Sequence, residues 1–256
     1  MGRLSIAHGL LAIRAAYRII LAMEWPRLTP GRFVRRENRF RVTVEVTGKP
    51  VGAHLPNSGR LTELLTPGRR CWLIEFQDPR RKTRFDAVLV RYAGTWVSVD
   101  ARLPNKLLSE ALATGALGPF RRYDQVRREV RLGDSRLDMR LAGPPGICWI
   151  EIKSVTLVED GVARFPDAPT ARGARHVREL MGAVAAGDRA AVVFVIQRGD
   201  ARRFRPHDQA DPEFGAVLRE ASRAGVDIHA WTCRVDRQHI EIDREIPVDL
   251  HSEGVT

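Results

Sequence analysis

Between residues 24 and 100, apolar side chains recur at alternate positions in several short runs that Gly, Pro, Asn and Asp separate. This is the pattern of half-buried β-strands joined by tight turns. A helical turn is predicted at residues 58–65. About five strands within so short a segment favour a small β-barrel of the oligonucleotide-binding (OB) type. The predicted strands are residues 39–46, 51–55, 70–76, 84–91 and 96–99.

After the barrel region, helical and strand-like patterns take turns. Residues 105–113 carry leucines at helical spacing, residues 126–132 alternate, and residues 135–158 form two alternating runs around a Gly-Pro-Pro-Gly turn. A second helix is predicted at residues 170–186. Residues 190–196 are a continuous apolar run, typical of a strand buried on both faces. Helix, three strands, helix and strand in this order predict an α/β domain with an αβββαβ core. A helix near residues 211–223 and strands near residues 226–235 and 239–242 complete the prediction.

Residues 1–22 differ from both regions. They contain no acidic residue, and Arg14 and Arg18 interrupt an apolar run with helical spacing. The run is too short to cross a bilayer, and no small-residue cleavage site marks a secretory signal. We interpret residues 1–22 as an extension, or as the product of an upstream start codon, ahead of a domain that begins near Met23. Binding of this segment to a membrane surface is the alternative, although no stable membrane association is expected.

The chain is strongly basic. Its formal net charge is +11, although 44% hydrophobic and 29% charged residues are ordinary for a globular protein. The basic residues are spread along the whole length, which favours a charged folded surface with nucleic acid as its commonest specific partner. Cys71, Cys148 and Cys233 form no CxxC pair. They predict neither a disulfide framework nor a zinc site and favour a reducing cytoplasm.

The hairpin at residues 135–158 carries the candidate chemistry. Side chains alternate along a strand, so Glu151 and Lys153 share one face of the second strand, while Asp138 lies on the first. In-register pairing would bring the three side chains together. Such a set is typical of a metal-dependent phosphodiesterase, in which Asp138 and Glu151 hold Mg²⁺ or Mn²⁺ and Lys153 orients the attacking water. The alternative is a surface hairpin with solvated or cross-paired charges.

Lysine is rare in this chain and supplies only four of the 42 basic residues. The presence of lysine at position 153, directly after Ile152, indicates that this position requires an ammonium group and that an arginine could not replace it. The pKa of a lysine shifts readily on burial, whereas arginine keeps its proton. Glu110, on the predicted helix before the strands, is a candidate for a further carboxylate near the metal, and Glu129 competes for that role.

Three groups of residues are candidates for binding DNA. In residues 32–41 arginines alternate with phenylalanines, which suits phosphate contacts combined with base stacking. The alternative is a strand with a buried Phe face opposite a solvated Arg face, which would give the same pattern. Polar side chains at residues 54–60 could contact phosphate or cap the following turn, and the second predicted helix presents further basic groups. The individual candidates are Arg36, Arg39, Phe40, His54, Asn57, Arg60, Arg172, Arg175 and His176.

The strand order and the positions of Asp138, Glu151 and Lys153 resemble the restriction-endonuclease-like PD-(D/E)xK nuclease fold. Leu137 occupies the place of the motif's proline, a departure that is frequent in that superfamily. Asp167, which follows a proline, lies after the ExK strand and therefore outside the motif order. The resemblance implies a nuclease-like domain with a divalent-metal site.

The chain from about residue 23 to residue 250 also resembles the bacterial and archaeal sugar fermentation stimulation proteins. The segments that carry this resemblance are PGRFVRRENRF, AHLPNSGRLTELLTPG, SRLD, EIKSVTL and FPDAPTARGARH. It implies an OB-like barrel at residues 23–103, a nuclease-like domain at residues 104–256, binding of single- or double-stranded DNA and a regulatory link to sugar catabolism. Two functions stay open, namely Mg²⁺-dependent hydrolysis of DNA and non-catalytic, largely non-specific DNA binding.

Overall fold

The computed structural model of the protein describes residues 22–251. The predictions for the N-terminal extension lie outside the described residues, except for Ala22. Within the described range the chain forms a β-barrel followed by an α/β domain, which confirms the predicted fold class. None of the described helices is both long and apolar enough to span a membrane.

The first part of the chain forms a closed five-stranded barrel. After β1 (Met23–Glu24), its elements are β2 (Leu28–Asn38), β3 (Arg41–Val46), β4 (Lys49–His54), β5 (Arg70–Glu75) and β6 (Phe85–Tyr92), with β7 (Thr95–Ser98) beside β6. The strands follow the order β4-β3-β2-β5-β6, and parallel pairing of Ala53 with Phe85 joins β4 to β6 and closes the barrel. Alternate apolar positions such as Val42 and Val44 fill its interior.

The barrel differs from the prediction at two places. β2 is absent from the predicted barrel strands, and only the alternative for residues 32–41 was a strand, because Pro30, Gly31 and several charged residues obscure the alternation. Gly31 is required there, since a Cβ at this position would lie 2.6 Å from the side chain of Val44. The predicted helical turn at residues 58–65 is limited to one turn, in which the N–H of Leu65 donates to the carbonyl of Leu61 at 2.9 Å.

The α/β domain is built on a seven-stranded sheet with the order β1-β16-β15-β13-β10-β9-β8. A small sheet of β11, β12 and β14, which was not predicted, lies beside it. The elements are α1 (Leu103–Ala113), β8 (Gln125–Leu132), β9 (Ser135–Gly143), β10 (Gly146–Val155), β11 (Val158–Glu159), β12 (Val162–Phe165), α2 (Ala171–Ala185), β13 (Arg189–Ile196), β14 (Arg203–Pro206), α3 (Pro212–Arg223), β15 (Asp227–Val235) and β16 (His239–Glu245).

The centre of this sheet is parallel and covered on both faces. β10 pairs in parallel with β13, and β13 pairs in parallel with β15. Every residue of β13 after Arg189 is buried, as predicted for a continuous apolar strand. Leu107 and Leu108 of α1 pack on one face, and α2 and α3 cover the other. Ligands of open α/β sheets bind beyond the carboxyl ends of such strands, and Glu151 and Lys153 lie in the second half of β10.

All three cysteines are free thiols in the interior. Burial raises the pKa of Cys71 and of Cys148 to about 12, and it raises the pKa of Cys233 further still. The thiols therefore behave as small apolar side chains at neutral pH.

Candidate functional site

A cleft of about 690 Å³ lies where the barrel meets the α/β domain. The barrel contributes the loop after β4, and the α/β domain contributes β10 and the segment that leads into α2. Asp138, Glu151 and Lys153 all line this cleft. The three residues that strand alternation places together thus share one volume.

Asp138 is fixed against β10 by two hydrogen bonds. β9 and β10 pair in antiparallel register as far as Met139 opposite Ile150. Beyond that pair, Asp138 Oδ2 accepts the backbone N–H of Ile152 at 2.7 Å, and Oδ1 accepts from the side-chain amide of Asn105 at 2.7 Å. The Asp138 side chain therefore bonds to β10 at a point where the β9 backbone is no longer paired with that strand.

Glu151 lies on the neighbouring strand, and its side chain is almost completely buried. Its Oε1 accepts two hydrogen bonds, one from Lys153 Nζ and one from His176 Nδ1, each at 2.6 Å. Its Oε2 is also buried, and no group of the described chain hydrogen-bonds to it. A buried carboxylate oxygen without a partner is costly. This oxygen is therefore available to accept from water or to bind a metal ion.

The pKa values of the two carboxylates shift in opposite directions. Burial and the nearby charge of Glu151 raise the pKa of Asp138, despite the hydrogen bonds from Ile152 and Asn105. Burial also disfavours the charged form of Glu151, but the hydrogen bonds from His176 and Lys153 and the charge of Lys153 outweigh it and lower the pKa of Glu151. Opposed pKa shifts of this kind are typical of functional sites.

The donor set fits a hard divalent cation. Mg²⁺ keeps several waters and is usually held by one or two carboxylates, which Asp138 and Glu151 supply, with Glu151 Oε2 free of other bonds. Across residues 22–251 no group of three or more His, Cys, Asp or Glu side chains is arranged to hold a metal ion. Water and substrate would therefore provide the remaining ligands.

α1 presents Asn105 to the site, while Glu110 lies elsewhere. Glu110 Oε1 is 3.9 Å from Lys106 Nζ on the same helix, and Glu110 is not among the described residues that line the cleft. Its role near the metal stays a prediction. Glu129 does line the cleft, but its carboxylate accepts a hydrogen bond from Arg136 at 2.6 Å.

The barrel loop at residues 57–60 forms one wall of the cleft, and two predicted DNA-binding residues hold its shape. Arg36 donates to the backbone carbonyls of Gly59 and Arg60, both at 2.7 Å. Asn57 is buried, accepts the N–H of Gly59 at 2.8 Å and donates to a backbone carbonyl at 3.1 Å. These contacts give both side chains a structural role, and their contact with DNA stays a prediction.

The other predicted barrel residues are Arg39, Phe40, His54 and Arg60. Arg39 lines the cleft, and its guanidinium carbon is 5.8 Å from the centroid of the Phe40 ring. Phe40 is 46% exposed, and His54 Nδ1 donates to its backbone carbonyl at 3.0 Å. Arg60 is exposed as well. Arg39 and Phe40 therefore present a positive charge and an aromatic ring side by side.

α2 places its three predicted residues in different surroundings. Arg175 is exposed, whereas Arg172 lines the cleft and donates from Nε to His176 Nε2 at 3.3 Å. His176 is only 4% exposed and lies behind Glu151. The structure thus brings His176 to a carboxylate of the site and not to the surface that a DNA backbone could reach.

Asp167 is a residue of the site that the motif order had set aside. Its Oδ2 accepts the backbone N–H of Arg60 at 2.7 Å and that of Leu61 at 3.3 Å. A Cβ on Gly59 would lie 2.5 Å from the same oxygen, so the close approach needs glycine. The polar loop at residues 57–60 can be recognised in the sequence, but Asp167, which accepts from its Arg60 N–H, lies 107 residues away along the chain. Asn105, the partner of Asp138, escaped prediction for the same reason.

The rim of the cleft carries uncompensated positive charge. Arg39, Arg128 and Arg172 line the cleft, and none of them forms an ion pair with a carboxylate of the described residues. Arg102, which also lines the cleft, instead pairs with Asp100 at 2.6 Å. Unpaired arginines at the mouth of a cleft attract anionic ligands.

Comparison with known proteins agrees with the resemblance found in the sequence. Residues 34–99 match the family model described as the SfsA N-terminal OB domain, and residues 102–239 match the one described as the sugar fermentation stimulation protein RE domain. A sugar fermentation stimulation protein homolog of Desulforamulus reducens is 46% identical over 225 residues, which cover 88% of this chain and 94% of the relative. The homolog of Moorella thermoacetica is 47% identical over 227 residues, with coverages of 87% and 97%.

A solved structure gives the same result. The structure of Pyrococcus furiosus SfsA in complex with Ca²⁺ is similar to this chain with a TM-score of 0.83 at 32% sequence identity. The similarity covers 89% of this chain and 98% of that chain. The barrel, the α/β domain and these matches together show that the chain belongs to the sugar fermentation stimulation protein family.

Proposed function

We propose that this protein binds DNA and hydrolyses its phosphodiester bonds in the cleft between the barrel and the α/β domain, with the help of a divalent metal ion. The observation that carries the proposal is the arrangement of Asp138, Glu151 and Lys153 at one cleft, with a buried Glu151 oxygen that has no partner among the described residues. Two carboxylates and an ammonium group so placed suit metal-assisted attack on a phosphate.

Asp138 and Glu151 are the residues that would hold Mg²⁺ or Mn²⁺. When bound, such an ion neutralises charge on the scissile phosphate and lowers the pKa of a coordinated water. The Pyrococcus furiosus relative was solved in complex with Ca²⁺. Ca²⁺ takes the same kind of oxygen ligands, so that structure supports a divalent-metal site in this family member.

The chain's own residues have separate tasks in this proposal. Lys153 positions the attacking water. This residue is only 9% exposed, and its Nζ donates a hydrogen bond to Glu151. Arg39, Arg128 and Arg172 bind phosphates at the rim of the cleft. Phe40 stacks on a base, as aromatic side chains of single-strand-binding proteins do.

DNA is the proposed partner because the chain is basic and the rim of the cleft is cationic. The net charge of +11 and the unpaired rim arginines favour a polyanion. Either single- or double-stranded DNA satisfies these features. Three free, buried cysteines accord with a cytoplasmic location, where thiols stay reduced.

The test is cleavage of end-labelled single- and double-stranded DNA in the presence of Mg²⁺ or Mn²⁺. We expect cleavage by the wild type, no cleavage in EDTA, and a loss of about 10²-fold or more in Asp138→Ala and in Lys153→Ala. Glu220→Ala is the matched control, because Glu220 is exposed on α3 and outside the described cleft lining. Activity that persists unchanged in Asp138→Ala and Lys153→Ala would refute the proposal.

A DNA-binding regulator without catalysis is the second candidate. It is favoured by the arginines that line the cleft, because these side chains can bind a polyanion whether or not a metal ion is present. The family name, with its reference to sugar fermentation, fits a regulatory role in sugar catabolism. This candidate predicts DNA affinity that falls steeply with salt, together with no cleavage in any metal.

A further inference from the structure

His176 is held rigidly on the first turns of α2. Thr170 caps this helix by accepting the N–H of Gly173 at 3.1 Å, and the N–H of Thr170 in turn donates to Asp211 at 2.7 Å. The imidazole is 4% exposed and packs between Arg172 and Glu151. The ring therefore has one fixed orientation with both nitrogens engaged.

The neighbours of the ring determine which nitrogen carries the proton. Arg172 can only donate hydrogen bonds, and its Nε lies 3.3 Å from His176 Nε2. Nε2 must then accept, which leaves the proton on Nδ1. Nδ1–H donates to Glu151 Oε1 at 2.6 Å. The chain of donors runs from Arg172 through His176 to Glu151.

We infer that His176 is a positioning residue, which turns Glu151 so that Oε2 is directed toward the metal position, while Arg172 selects the required tautomer. Lys153 and His176 both donate hydrogen bonds to Oε1. Oε2 has no hydrogen-bond partner among the described residues. Hydrogen-bonded partners that orient a metal-binding carboxylate typically contribute 10- to 100-fold to metal affinity. The inference rests on the proposed function, because it assigns Glu151 to a metal.

Two other roles for His176 would leave different evidence. Contact with DNA, which the sequence had indicated, requires a surface that the buried ring does not have. A purely packing role requires only the shape of the ring and is indifferent to the Nδ1 proton. A substitution that keeps the donor and one that removes it therefore separate positioning from packing.

The experiment compares His176→Asn with His176→Leu. The Asn amide can place an N–H close to the position of Nδ1, whereas Leu has a similar bulk and no donor. Mn²⁺ alone is the probe, and its Kd is measured by isothermal titration calorimetry and by electron paramagnetic resonance. We expect His176→Asn to bind Mn²⁺ within about threefold of the wild type and His176→Leu to bind it about 10- to 100-fold more weakly.

A second measurement needs no metal and is made on the wild type, with His176→Asn used only to assign the signal. Long-range ¹H–¹⁵N correlation spectra of the wild-type imidazoles at pH 8 report the tautomer, and the His176 signal is assigned by its loss in His176→Asn. Protonation at Nδ1 supports the inference. Protonation at Nε2 overturns it, as does an unchanged Mn²⁺ Kd in His176→Leu or an equal loss in both variants. If the wild type itself binds no Mn²⁺, the metal-dependent function fails, which is a distinguishable result.

Discussion

The contact between Asp167 and the barrel loop can be removed by a single substitution, Asp167→Ala. Asp167 Oδ2 accepts the N–H groups of Arg60 and Leu61 at 2.7 Å and 3.3 Å and so joins the two walls of the cleft. The substitution leaves both donors without their acceptor. It also opens space next to Gly59, which now lies against the carboxylate. We expect a less stable protein with a more mobile loop.

The size of the effect follows from the two hydrogen bonds. A hydrogen bond to a charged acceptor contributes about 1.5–3 kcal/mol. The N–H of Arg60 belongs to an exposed residue, so water replaces part of the lost bond, and the longer bond to Leu61 is the weaker one. The sum is about 2 kcal/mol. For a chain of this size each kcal/mol corresponds to about 2–4 °C in Tm, so Tm should fall by about 4–8 °C.

Differential scanning calorimetry measures this shift against a matched control, Asp227→Ala. Asp227 pairs with Arg189 at 2.7 Å, but both side chains are about 40% exposed. Exposed ion pairs contribute about 0–1 kcal/mol, so the control should change Tm by less than about 4 °C. Equal Tm values for the two variants would refute the reasoning, because they would mean that Asp167 contributes no more than a surface charge.

Four further substitutions test the site. Burial and the charge of Glu151 raise the pKa of Asp138, so ionisation of Asp138 lowers the stability of the metal-free wild type as pH rises from about 4 through the raised pKa. Asp138→Asn loses one of the two acceptors for Ile152 and Asn105 at every pH, and its Tm should fall less than that of the wild type between about pH 4 and pH 7. Phe40→Ala should weaken binding of single-stranded DNA by about 1–3 kcal/mol in fluorescence anisotropy. Arg39→Gln and Arg128→Gln should each reduce the slope of log K against log[salt] by about 0.7–0.9.

Each of these outcomes has a contrary result. An equal fall in the Tm of Asp138→Asn between about pH 4 and pH 7 would mean that the charge of Asp138 does not destabilise the folded protein. Unchanged single-strand affinity in Phe40→Ala would remove the ring from the interface. Arg223→Gln is the matched control for the rim arginines, because Arg223 is exposed at the end of α3 and outside the described cleft lining. A loss of slope in this control equal to that at the rim would indicate binding over the whole basic surface.

The αβββαβ core could be predicted because its patterns are local. The apolar run of β13 and the alternation around the Gly-Pro-Pro-Gly turn depend only on neighbouring residues, and the structure has both. The sequence left β2 as one of two alternatives for residues 32–41, since its 11 residues pair with both β3 and β5 and gain their stability from these partners. A strand that contains Pro30 and Gly31 has little intrinsic strand preference.

The candidate site divides in the same way. Glu151 and Lys153 are two residues apart on one strand, so alternation alone places them together. The partners of the carboxylates come from distant segments, with Asn105 at 33 residues from Asp138 and His176 at 25 residues from Glu151. Only the packing of α1 and α2 on the sheet determines these contacts. The sequence therefore identifies the chemical groups, while the tertiary structure determines what each one contacts.

The buried cysteines have a practical consequence for testing whether DNA reaches the cleft. Only the thiolate attacks maleimides and disulfides, and a thiol with a pKa of about 12, as at Cys71 and Cys148, has on the order of a thousandfold less thiolate at pH 8 than an exposed cysteine of ordinary pKa. A cysteine introduced on the rim, as in Arg39→Cys, would react selectively in the native protein. A fluorophore or cross-linker can thus be attached beside the cleft without replacing any natural cysteine.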